Sequence, residues 1–122
     1  MTFKPANTMV WFELPVSDLD KAIAFYNEVF QTELERVAMQ PNEIAMFPVE
    51  KGGRSGHLYP GKPPARGTGP TIHLLCPDKL ADTMERFVKA GGEMVSDPIT
   101  IPAGTFAYGM DPDGNSIGLF TS

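Results

Sequence analysis

Apolar and polar residues alternate from Met9 to Val16, and from there the apolar ones recur at helical spacing as far as Phe30. Val10, Phe12, Leu14 and Val16 fall on one side of an extended segment, and Met9, Trp11, Glu13 and Pro15 on the other. Ser17 and Asp18 then offer side-chain oxygens to the free N–H groups that open a helix. Leu19, Ala22, Ile23, Tyr26, Val29 and Phe30 form an apolar stripe along it. The pattern predicts a strand packed through one face onto an amphipathic helix. The other face, with Trp11 and Glu13, is left for function.

Further along, Glu33 to Met39 reads as a strand with Leu34 and Val37 inward, and Pro41-Asn42 as a turn. Ile44 to Val49 is a second apolar run, closed by the hairpin turn Lys51-Gly52-Gly53, and Gly56 to Tyr59 returns. Seven of the eleven residues from Pro60 to Pro70 are proline or glycine, which marks a surface linker. A similar series follows. Thr71–Cys76 alternates, Asp78 is placed to cap a helix, and Leu80, Met84, Phe87 and Val88 form its stripe. Gly91-Gly92 ends that helix. Glu93 to Ile101, interrupted by Asp97-Pro98, Thr105 to Met110 and Ser116 to Phe120 read as strands, with Asp111-Pro112-Asp113-Gly114 a tight turn.

Asp18 and Asp78 sit at matching places sixty residues apart, so the chain reads as an internal repeat. The expected fold is α+β: two tandem βαβββ modules about a pseudo-twofold axis, their eight strands forming an open, curled sheet around a concave pocket. Module one spans 1–60, the linker 61–69 and module two 70–122, within one domain. At 122 residues with 42% apolar content, the chain is long enough for a real core. Its net charge of −5 and scattered Lys and Arg exclude nucleic acid as an expected partner. No apolar run approaches the ~20 residues of a membrane helix, and no secretory leader opens the chain. Cys76 stands alone, so there is no internal disulfide, and the cytoplasm is the expected location.

The stretch Phe-Glu-Leu-Pro-Val-Ser-Asp-Leu-Asp-Lys-Ala-Ile-Ala-Phe-Tyr-Asn-Glu-Val-Phe at 12–30, Ala-Gly-Gly at 90–92 and Asp-Pro-Asp-Gly-Asn-Ser-Ile-Gly-Leu at 111–119 resemble the vicinal oxygen chelate superfamily. That group includes glyoxalases, bleomycin- and fosfomycin-resistance proteins, extradiol dioxygenases and methylmalonyl-CoA epimerases, and the nearest flavour is the glyoxalase-related proteins. The resemblance implies a metal held in the concavity by His, Glu or Gln from the first and last strand of each module. Carried over by position, those corners fall on Trp11, His57, Thr71 and Gly118. Only His57 is a ligand-type residue, whereas a catalytic ion wants about three protein ligands plus water. A divalent metal is therefore disfavoured and no cofactor is expected. The bleomycin-resistance branch implies a metal-free binder, a homodimer with ligands seated where two subunits meet.

Glu13 and His73 occupy matching places in the two modules, and both are expected to face the concavity. They can serve as an acid–base pair for lyase or isomerase chemistry, or as a structural hydrogen bond between the modules. Trp11 either stacks on a ligand or fills the cavity. His57, Tyr59, Thr71, Tyr108, Gly118 and Phe120 are the remaining candidates for the lining of a small-molecule site. Phe25 and Tyr26 are read as packing, and the Asp111–Gly114 turn as structural.

Overall fold

The computed structural model describes residues 1–122. Strand β1 (Trp11–Val16) carries the expected alternation, with Leu14 and Val16 buried and Phe12 partly so. Met9 and Val10 precede the strand and are exposed, so Val10 does not join the inward row. Helix α1 (Leu19–Phe30) begins where Asp18 accepts a hydrogen bond from the Lys21 N–H, and it ends at Gln31, which turns left-handed at φ 51°. It buries Ala22, Ile23, Phe25, Tyr26, Val29 and Phe30. Strands β2 (Glu35–Met39) and β3 (Asn42–Met46) form a hairpin, and β4 (Ser55–Pro60) completes a four-stranded sheet in the order β1-β4-β3-β2.

The second module opens with β5 (Ile72–Leu75) and helix α2 (Leu80–Lys89). Asp78 does not cap this helix. Its carboxylate is taken by two hydrogen bonds from the Arg86 guanidinium and one from the Thr83 hydroxyl, and Lys79 stands at the cap with no side-chain bond. The reason is charge: a guanidinium fork satisfies a carboxylate better than a lone backbone N–H. Phe87 is wholly buried, whereas Val88 is exposed and lies off the stripe. Gly91, at φ 116°, takes the position after the helix cap.

The segment expected as one interrupted strand is two, β6 (Glu93–Met94) and β7 (Ile99–Ile101), because Asp97-Pro98 breaks the ladder. With β8 (Gly104–Met110) and β9 (Ser116–Thr121) they form a five-stranded sheet in the order β5-β9-β8-β6, β7 pairing beside β6 on β8. The strands therefore number nine, in two sheets, and not eight in one. In both modules the first strand lies parallel beside the last, β1 on β4 and β5 on β9. β1 and β5 are edges that do not pair with each other.

The modules are joined through their helices and one turn. Phe25 of α1 meets Phe87 of α2 edge-on at 5.2 Å between ring centres. Arg86 also donates from Nε to the Val29 carbonyl at 3.0 Å, taking up an orphan acceptor at the end of α1. The Asp111 carboxylate, 1% exposed, receives Tyr26 Oη at 2.7 Å, Asn115 Nδ2 at 3.0 Å and the backbone N–H groups of Asp113 and Asn115 at 2.9 Å each. Asn115 Nδ2 bonds as well to the Pro15 carbonyl at 2.9 Å, and Ser17 donates to Asp113 through both its backbone N–H and its hydroxyl. Burial, and then the nearby Asp111 charge, push the Tyr26 phenol well above its ordinary pKa, so it stays a donor. The linker closes over this turn, Gly67 N–H bonding to the Gly114 carbonyl at 2.9 Å.

Tyr26→Phe removes one of four donors from a buried carboxylate and is expected to cost about 2 kcal/mol, read as a lower urea midpoint at unchanged slope. An unchanged midpoint would mean the phenol contributes packing alone. The Arg86 and Thr83 bonds hold the Asp78 carboxyl below its ordinary pKa. A depressed carboxylate stabilises the fold above its unfolded pKa and loses that contribution as pH falls through the folded value. Asp78→Asn is therefore expected to destabilise at pH 7 and to converge on the parent protein in acid below the carboxylate range, by thermal melts across pH.

Candidate functional site

Each sheet has one face under a helix and one free of it. On the free face of the first sheet, β1 presents Trp11, Glu13 and Pro15, and β4 presents His57 and Tyr59, because both strands alternate in register. Glu13 stands directly opposite His57 in the parallel ladder. Trp11 Nε1 donates to His57 Nδ1 at 2.9 Å, and His57 Nε2 lies 3.5 Å from Glu13 Oε1. His57 is 6% exposed while the Glu13 side chain is 68% exposed. An indole N–H can only donate, so His57 Nδ1 is the acceptor and the neutral ring carries its hydrogen on Nε2. The β2–β3 hairpin borders this face through Met39, Gln40, Pro41 and Asn42, which with Glu13, His57 and Tyr59 line an open cavity of about 310 Å³.

The matching face of the second sheet is aromatic. His73 of β5 meets Phe106 edge-on at 5.0 Å and lies 5.9 Å from both Tyr108 and Phe120, while Phe106 and Phe120 stack at 5.8 Å. These rings partly desolvate the imidazole and lower its pKa, which favours the neutral ring. The His73 ring covers Gly118, its neighbour in register, so closely that a Cβ at 118 would collide with Nδ1. Thr71 Oγ1 lies 2.6 Å from Ser116 Oγ, a hydroxyl pair at the rim.

The structure thus brings Trp11, Glu13, His57 and Tyr59 together on one face, and His73, Gly118, Tyr108 and Phe120 on the other. No hydrogen bond or ion pair joins Glu13 to His73: Glu13 stands by His57, and His73 among rings. At the four corners carried over from the superfamily, Trp11 occupies the Nδ1 lone pair of His57 and leaves hydrogen on Nε2. Thr71 is paired to Ser116, and the space above Gly118 belongs to His73. These side chains do not make a donor set for a divalent ion. Nowhere in the chain do three His, Cys, Asp or Glu side chains converge as an ion would need.

Sequence reading missed the lining by Gln40, Asn42 and Met39, because nothing in Pro41-Asn42 tells which face a hairpin borders. Three other hollows are larger, one of them a shallow depression of about 670 Å³ beside the end of α1 at Asn27, Gln31 and Glu33. A groove of about 600 Å³ runs between α1 and the Asp111–Asp113 turn, and a cleft of about 450 Å³ lies by the β1 and β5 edges, lined by Met9, Phe12, Phe47, His73 and Leu75 among others. In the groove, Tyr26, Asp111, Ser17 and Asp113 are already bonded to one another or to their own backbone.

Comparison with known proteins shows a likeness in fold. A glyoxalase/bleomycin resistance protein from Albidiferax ferrireducens superposes with a TM-score of 0.72 at 19% identity, over 95% of this chain and 99% of that one. A glyoxalase-related enzyme from Fulvimarina pelagi gives 0.68 at 21% identity, over 94% and 88% of the two chains. A lactoylglutathione lyase from Agrobacterium tumefaciens gives 0.63 at 21% identity, over 97% and 96%. At such identities the likeness is one of fold. No curated protein matches the sequence. The family model of the glyoxalase/bleomycin resistance protein/dioxygenase superfamily matches residues 8–119, nearly the whole chain, and the chain belongs to that superfamily.

Proposed function

We propose that this protein binds a small organic molecule on the free faces of its two sheets, without the superfamily's metal, in a pocket completed by a second copy of the chain. The observation that carries the reading is the state of those faces. Both hold convergent polar and aromatic side chains, and both lie beside a strand edge, β1 or β5, that has no partner. Trp11 is 42% exposed and Leu75 is 69% exposed at these edges. Unpaired edges bearing apolar side chains favour pairing with another strand. A second copy would supply β5 to β1 and set the Trp11–His57 face opposite the His73 ring cluster.

The metal-free part of the reading rests on the chemistry of the corners: an indole, a paired hydroxyl and a glycine under an imidazole. Lyase or isomerase chemistry by Glu13 and His73 is the second reading. It draws on the placement of the two groups, Glu13 on the β1 edge and His73 on the β5 edge, where a second copy would bring them to one pocket. In that case Glu13 of one copy would work with His73 of the other, across the shared pocket.

Sedimentation at tens of micromolar is expected to give a dimer, and Leu75→Lys, which places a charge on the β5 edge, is expected to give a folded monomer. A monomeric parent protein would sink the completed pocket. Protein purified without chelators is expected to carry far less than one divalent ion per chain by emission spectrometry. Stoichiometric zinc, nickel, manganese or iron would overturn the metal-free reading.

A further inference from the structure

In the cavity of the first sheet, Trp11 settles what His57 can recognise. Its N–H occupies Nδ1, so Nε2 carries hydrogen and offers a donor only. Beside that donor, 3.5 Å away, lies Glu13 Oε1, an acceptor. The separation is beyond an ordinary N–H···O contact, so the two groups sit side by side without spending themselves on each other. His57 is held rigidly by burial and by the indole, while Glu13 stands open at the mouth of the 310 Å³ cavity.

A ligand for this pair must present an acceptor to His57 and a donor to Glu13. A carboxylate satisfies the imidazole N–H but meets the Glu13 charge. An ammonium satisfies Glu13 but meets the imidazole N–H. A ketone leaves Glu13 without a donor. One hydroxyl oxygen at hydrogen-bond distance from both groups would hold its partners at an acute angle, well below the tetrahedral one. The edge of an amide, with C=O and N–H pointing the same way, makes two near-parallel bonds. Around this edge Met39 and Ile44 supply apolar wall, and Gln40, Asn42 and Tyr59 supply neutral polar groups.

From this geometry we infer that the cavity between β1, β4 and the β2–β3 hairpin takes a neutral ligand by a primary-amide or lactam edge. Glu13 and His57 contact it, and Trp11 is a positioning residue that fixes the histidine tautomer. The inference deepens the small-molecule reading above and rests on it.

The test uses the full chain labelled with nitrogen-15 and four probes of five or six carbons: 2-piperidone, cyclohexanone, cyclohexanol and glutarate. Long-range proton–nitrogen spectra are expected to show His57 protonated at Nε2, and Trp11→Phe to let both tautomers appear in a folded protein. The fluorescence of Trp11, the only tryptophan, and the His57 nitrogen shifts are expected to respond to 2-piperidone at least tenfold more tightly than to the other three probes. Glu13→Leu is expected to erase that preference. Hydrogen on Nδ1 in the parent protein, or equal or tighter binding of the ketone, alcohol or carboxylate, overturns the amide inference while leaving a small-molecule site in place. No response to any probe overturns the inference, and if the parent protein is also a monomer the broader reading falls with it.

Discussion

A single buried carboxylate, Asp111, holds the two halves of this molecule in register. It accepts from a phenol on α1, an amide on its own turn and two backbone N–H groups, and that amide reaches on to the Pro15 carbonyl near the end of β1. A charge this deep is tolerable only because every lone pair is used. The network makes the tight turn of one module the seat for the strand–helix junction of the other. Loss of one member leaves the rest buried and short of partners, so the members depend on one another more than their number suggests.

The remaining joints follow from that placement. With the turn seated, α1 and α2 come side by side, Phe25 and Phe87 interlock, and Arg86 closes the end of α1 while clasping Asp78. All of this lies on the helix-covered side of the sheets. Their other sides carry none of these joints between the two halves, so Trp11, Glu13, His57 and the His73 cluster lie outside that network. The joints between the two halves and the groups proposed to meet a ligand thereby lie on opposite faces of the same strands.

Much of this was legible in the residues. The alternation of Phe12, Leu14 and Val16, the Asp18 cap, the Gly91 terminator and the Asp111–Gly114 turn follow local rules, and the structure keeps them. What sequence could not give were choices between partners. Asp78 had a helix start within reach, yet Arg86, two turns further on, outbid it. Glu13 had a matching histidine sixty residues away, yet the histidine opposite it in the ladder is His57. Tyr26 looked like one more apolar position in a stripe, and its hydroxyl found Asp111 across the module boundary. Each miss concerns a polar group whose alternatives differ only in tertiary geometry. The split of the two sheets has the same origin, since strand edges announce themselves in a sequence but not their neighbours.

Gly118 beneath the His73 ring carries a consequence for how this site can change over generations. A carboxylate at 118 would have to evict the imidazole, and an altered residue at 73 would leave a bare glycine and a gap among the rings. Neither replacement alone yields a workable corner; the two positions are epistatic. Any side chain brought to 118 is therefore tied to where the ring at 73 stands, whereas positions at the rim carry no such coupling.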